Sequence, residues 1–158
     1  MKLFISHSLA PTDWQVATLL SRQAQGKGMA VESSQHQAFV GVDLATVIRQ
    51  TIASCDFVIA IVSFDSSYTA NVQYELNVAA SLGKPCLALV EQGVYPFQPL
   101  AGVQYVDFVR HDLGPALNHI NAILEGRKNQ ENMESMAKWV IGGGLALLAL
   151  YLISKSES

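Results

Sequence analysis

A chain of 158 residues with a net charge of −3 is long enough for one compact domain and a tail, but too short for two domains. Its slight acidity and lack of a basic run argue against nucleic acid as a partner. Cys55 and Cys86 have no metal-ligand spacing and the four histidines (His7, His36, His111, His119) are scattered, so neither a disulfide framework nor a local metal motif is indicated.

KLFIS at 2–6 follows Met1 directly and reads as a short buried strand, so no secretory leader is expected. Pro11 suits a first helical turn, and Val16, Leu19, Leu20 and Gln23 set a helical stripe that stops at Gly26 and Gly28. Asp13 in that first turn is most simply an acid favoured by the helix dipole. MAVE at 29–32 is a second, short strand. The polar stretch 33–41 is a loop ending in Phe39, Val40 and Gly41. Asp43 has the character of a helix N-cap, with Leu44, Val47, Ile48 and Ile52 as the inward stripe that follows.

DFVIAIVS at 56–63 is continuous and β-branched, as a central parallel strand should be. A polar loop and a helix then lead to CLALV at 86–90. EQGVYPFQPLAG at 91–102 is loop, QYVDF at 104–108 an edge-like strand, and Asp112 caps a helix with Leu113, Leu117, Ile120 and Leu124 as its stripe, ending at Gly126. Strands alternating with single helices imply right-handed crossovers and a parallel sheet covered on both faces. In such a sheet ligands bind beyond the carboxyl ends of the strands, where the direction of connection reverses. His7 and the loops 33–41 and 63–71 all follow strand ends and should cluster there.

The helix after the central strand carries one acid, Glu75. On a helical wheel with Val72 at the top, Leu76 and Ala79 fall within about 40° and Glu75 at about 60°. Glu75 therefore shares the buried-facing side, where a carboxylate is partly desolvated unless it faces a cleft. A solvated or dipole-favoured acid near a helix N-terminus is the alternative.

After a polar connector at 127–138, WVIGGGLALLALYLI at 139–153 has no polar face. Its helix would span about 22 Å against a hydrocarbon core of roughly 30 Å, with Trp139 and Tyr151 placed as interfacial anchors. A single-pass membrane helix in contact with lipid is expected, with the domain on the cytoplasmic side because Arg127, Lys128 and Lys138 outnumber Lys155. The alternative is a core helix packed on the domain or a partner. The expected organisation is a domain over 1–126, a connector over 127–138, the apolar helix over 139–153 and a polar tail over 154–158.

FISHS at 4–8, the Gly41 loop followed by Asp43 and the Ile48/Ile52 helix, IVS at 61–63 and NVQYELNVAASLGKP at 71–85 together resemble a bacterial-type TIR (Toll/interleukin receptor) domain over about residues 2–124. The resemblance implies a flavodoxin-like α/β fold with a five-stranded parallel sheet, here with the apolar C-terminal helix added. It also implies cleavage of NAD at the nicotinamide–ribose bond, with NAD as substrate and no cofactor or metal, self-association, and a role in antiviral defence or signalling. The family's catalytic glutamate matches Glu75. Ser6 and His7 match substrate contacts, and 33–41 matches the BB loop that covers the nicotinamide side, which brings in Phe39 and Gly41. Ser63, Tyr68 and Asn71 complete the expected substrate rim. Asn71 stands where enzymatic relatives often carry Trp, so an aromatic platform would come from Tyr68, Phe39 or Tyr74. Two other functions stay open: a non-enzymatic TIR interaction module, and a nucleoside deoxyribosyltransferase-like enzyme, which NVQYELNVAASLGKP also faintly resembles.

Overall fold

The structure, a computed structural model, describes residues 1–33, 43–65, 70–94 and 102–139. Its contacts divide the chain into two units, Met1–Asn121 and Ala122–Ser158. The first unit holds β1 (Lys2–Ser6), α1 (Pro11–Gly26), β2 (Ala30–Ser33), α2 (Leu44–Ala53), β3 (Phe57–Val62), α3 (Ala70–Ser81), β4 (Cys86–Glu91) and β5 (Val103–Phe108), and α4 (Gly114–Trp139) begins in it. The five strands form one parallel sheet in the order β2-β1-β3-β4-β5, as expected of a flavodoxin-like α/β domain.

The burial of each strand follows its place in the sheet. Every residue of β3 and β4 is buried, which is why both read as unbroken apolar runs, whereas the edge strands β2 and β5 are partly exposed. Strand alternation assigns the two faces. Phe4, Val58, Ala60, Val62, Cys86, Ala88 and Val90 pack in one core cluster with Ile52 of α2 and Val72, Leu76 and Ala79 of α3. The alternate residues, among them Leu3, Ile5, Ile59, Ile61 and Leu89, are also buried and face the other way. That second face belongs to α1, with Val16, Leu20 and Ala24 buried, and to the start of α4, with Ala116 and Ile120 buried. Asn121 Nδ2 of α4 donates to Gln23 Oε1 of α1 at 3.2 Å.

Local signals act as expected at several helix ends. Pro11 opens α1. Asp43 caps α2, accepting from Ala45 N at 3.2 Å and Thr46 Oγ1 at 2.6 Å, and the Thr46 bond leads the lowering of its pKa. Both cysteines are free and buried, and burial pushes the Cys86 thiol up to about 11.

The C-terminal expectations change. Asp112 pairs with Val109 in an antiparallel bridge, and α4 starts at Gly114 and passes through Gly126 without stopping. The surrounding Glu, Arg, Lys, Asn and Gln are mostly good helix formers and outweigh the roughly 1 kcal/mol that one interior glycine costs. In the second unit, Leu124 is buried and Met133 exposed. The expectation of a single-pass membrane location is corrected: among the described residues no helix is long and apolar enough to cross a membrane. α4 carries charged residues at intervals from Glu125 to Lys138, each worth about 2.5–3.5 kcal/mol against insertion at a bilayer centre for Lys, Arg and Asp-like groups. Of the apolar stretch 139–153, all but Trp139 lies outside the described residues.

Candidate active site

The crossover from β1 through α1 leads to β2 on one side, and that from β3 through α3 leads to β4 on the other. The reversal puts the expected ligand crevice beyond the carboxyl ends of β1 and β3. Two acids, one from each helical layer, stand at this point.

Glu75 is on α3 and only 1% exposed. The helical period that buries Val72, Leu76 and Ala79 carries Glu75 inward with them, deeper than the shoulder position the wheel gives it. Ser6, the last residue of β1, donates its hydroxyl to Glu75 Oε2. A hydrogen bond in a site withdrawn from water fixes the direction of the carboxyl group.

Asp13 is on α1 and 0% exposed. Its Oδ2 accepts from Ser8 Oγ at 2.6 Å and from Ser63 Oγ at 2.7 Å, and its Oδ1 lies 3.4 Å from Arg110 Nη2. Asp13 thus joins the chain just after β1 to the chain just after β3. It is not merely an acid favoured by the helix dipole. The wheel used for Glu75 would have found it, since Asp13 falls within about 20° of Leu20 on α1.

Arg110 reaches this place from the turn after β5, which the Val109–Asp112 bridge closes. It grips Glu91, the last residue of β4, with both arms: Nε to Oε1 at 2.7 Å and Nη2 to Oε2 at 2.6 Å. Such a fork-to-carboxylate pair is among the stronger side-chain contacts. The bonded Arg110 holds the Glu91 carboxyl below the usual carboxylate range, and Glu91 in turn raises Arg110. Glu91 also accepts from Phe64 N at 3.2 Å, which ties the chain after β3 to the end of β4. The Phe64 ring lies 3.4 Å from where a Cβ on Gly93 would be, and Gly93 has φ +93°, so glycine suits that turn twice over. At the outer edge Thr12 Oγ1 donates to Asp65 Oδ2 at 2.8 Å.

Of the expected site residues, the structure brings Ser6, His7, Ser63 and Glu75 to the sheet's carboxyl edge. The Ser6 hydroxyl is engaged with Glu75 and that of Ser63 with Asp13. His7 is buried, and its Nδ1 lies 2.7 Å from the Ser8 carbonyl; a carbonyl only accepts, so Nδ1 carries a proton. Asn71 and Tyr74 are exposed on α3. Phe39, Gly41 and Tyr68 lie outside the described residues. Among the described residues no cluster of three or more His, Cys, Asp or Glu is arranged to hold a metal. Ser8, Asp13, Glu91 and Arg110 join the site from the structure. For Glu91 and Arg110 no local signal exists, because the pair is made across two strands.

Comparison with known proteins agrees with this architecture. Residues 3–122 match the sequence profile described as TIR domain. No curated protein matches the chain significantly. Among solved structures, the CMP N-glycosidase BcmB of Clostridium botulinum superposes with a TM-score of 0.58 at 16% identity, covering 77% of this chain and 99% of its own. At that identity the likeness is one of fold. With the profile spanning most of the sequence, the chain belongs to the TIR-domain family.

Proposed function

We propose that this protein is an NAD glycohydrolase that breaks the nicotinamide–ribose bond, with Glu75 as its catalytic residue. The observation that carries the reading is a carboxylate buried at the switch point of the sheet and oriented by Ser6. Family membership supports it, and so does a relative of the same fold whose name describes N-glycosidic cleavage.

One carboxylate is enough for this reaction. Hydrolysis of an ordinary glycoside uses two, one of them to protonate the leaving group. Nicotinamide departs from a cationic pyridinium: the C–N electron pair returns to the ring nitrogen and the product is neutral, so no acid is needed. The ribose carbon left behind has oxocarbenium character, and an adjacent carboxylate stabilises it more strongly where water is excluded. Water then adds to that carbon and loses a proton, giving ADP-ribose. Another nucleophile in its place gives a cyclised or conjugated product. The charge at these strand ends suits the pyridinium end of NAD, because the network there contains Asp13, Glu91 and Asp65 against the guanidinium of Arg110. That balance suits a cationic ring better than a phosphate. Ser6, His7, Phe39, Gly41, Ser63, Tyr68 and Asn71 are proposed as the rim of the substrate site. Self-association belongs to the same reading, as does a role in defence or signalling.

The test is incubation of the purified chain with NAD, with products identified by mass spectrometry. Wild type should release nicotinamide, faster per molecule at high concentration, and Glu75→Gln should lose at least about 100-fold in kcat. Equal rates for the two proteins would remove Glu75 from the chemistry. CMP and deoxynucleosides belong in the same assay: their turnover without NAD turnover would transfer the reading to a nucleoside substrate. Silence with every substrate, in dilute and assembled protein alike, would leave an interaction module.

A further inference from the structure

We infer that Asp13 is a positioning residue for Glu75, holding the ends of β1 and β3 at the spacing the site requires; this rests on Glu75 being the catalytic group. Three observations meet here. First, β1 does not end in a loose turn. Its last residue and the two after it, Ser6, His7 and Ser8, are all buried, and each is tied by its side chain. Ser6 donates to Glu75, His7 to the Ser8 carbonyl, and Ser8 to Asp13, while the Ser8 hydroxyl also accepts from Ala10 N at 3.2 Å. Asp13 is the far anchor of this run and Glu75 the near one.

Second, the oxygen of Asp13 that receives Ser8 also receives Ser63, on the far side of the crevice. One carboxylate oxygen thereby sets the distance between the two strand ends that flank the expected ligand. A shift there moves the Ser8 end of the run, and the Ser6 end moves Glu75. Third, burying an acid is unfavourable unless it is hydrogen-bonded and paired, and apolar side chains would fill the same space with no such demand. Asp13 receives both hydroxyls and faces Arg110, whose other partner is Glu91. The ends of β1, β3 and β4 and the turn after β5 are thus referred to this one carboxylate, directly or through Arg110. Placement to within about 0.5 Å is what a catalytic group needs, and misplacement by ~1 Å can cost ~100-fold.

Asp13→Asn keeps the shape and removes the charge. It should lower kcat for NAD ~10- to 100-fold while KM changes by less than ~3-fold, because the defect lies in orientation and not in binding. In a Glu75→Gln background the same change should have no further effect, since it acts through the missing group. A reading without substrate separates this proposal from the function itself. The 13C signal of the Glu75 carboxyl, identified by its disappearance in Glu75→Gln, should move in Asp13→Asn and in Ser8→Ala, and stay in place in Asp43→Asn, which alters an exposed cap on α2. An unmoved Glu75 signal in folded Asp13→Asn, or additive losses in the double variant, would overturn the positioning role. Absence of NAD cleavage by wild type would overturn the functional reading alone. If Asp13→Asn does not fold, Ser8→Ala and Ser63→Ala bear the same two readouts, with smaller effects in the same direction.

Discussion

Glu75 and Asp13 are both acids on helices, both essentially out of water, and both bonded by a serine from the end of β1. They differ in what else surrounds them. Asp13 receives a second hydroxyl and faces a guanidinium that is itself locked to Glu91. Its environment resembles a structural joint, with charge and hydrogen bonds answered from three directions. Glu75 sits instead among Val72, Leu76 and Ala79, with its described hydrogen bond coming from Ser6. The lesson is that burial alone does not identify a reactive acid. A carboxylate facing a guanidinium and two serines ties parts of the fold together, whereas one on the helix after β3 and oriented by the end of β1 stands at the switch point where such sheets bind ligands.

The largest effect should come from removing the cation on the Asp13 side. Arg110→Met leaves Glu91 and Asp13 without their shared partner and should destabilise the fold by about 2–3 kcal/mol, below the full range for buried pairs because the Arg110 side chain is 29% exposed. Chemical denaturation measures it, and a loss under 0.5 kcal/mol would mean the pair is only surface decoration. The same pair predicts a pH effect. Glu91 is held below its ordinary range in the folded state, so its stabilisation is complete above about pH 4.3 and disappears as pH falls through the lowered value. Wild type and Glu91→Gln should therefore converge in Tm under acid, and a constant gap would contradict the assignment.

A smaller effect is expected on the Glu75 side. Ser6→Ala removes one donor from a buried carboxylate and should lower kcat by about 10-fold while costing about 1–2 kcal/mol of stability, less than Arg110→Met. If instead Ser6→Ala costs more stability than Arg110→Met and retains its kcat, the two acids have exchanged roles. The smallest effect belongs to the rim. Thr12→Val breaks an exposed hydrogen bond to Asp65 and should change stability by no more than about 0.5 kcal/mol and leave kcat intact.

The contrast between the two acids also marks what was legible beforehand. β3 and β4 announce themselves because a strand buried on both faces must be apolar throughout. Asp43 and Pro11 mark helix starts through local chemistry that needs no tertiary partner. Glu75 stands out by its phase on the wheel. Asp13 has the same phase but reads as an ordinary first-turn acid, since both descriptions fit one position until its partners are known. The Arg110–Glu91 fork could not be read at all, because only the sheet brings those two residues together. The helix end at Gly126 misleads for another reason: a lone glycine stops a helix only when the following residues do not favour continuing it.

The span of the Asp13 network along the chain has a consequence for how the molecule comes into being. Asp13 bonds Ser63 across 50 residues and Arg110 across 97, separations far longer than those of a helical turn or a hairpin. Closing such loops is entropically costly and follows the local structure that makes it worthwhile. A nascent chain that has not yet delivered Arg110 has its helices and first strands but no counter-charge for Asp13. The geometry around Asp13 and Glu75 is therefore completed late, after the sheet has its fifth strand. Under the NAD-cleaving activity proposed above, this order of events would keep unfinished copies from spending a cofactor every cell depends on.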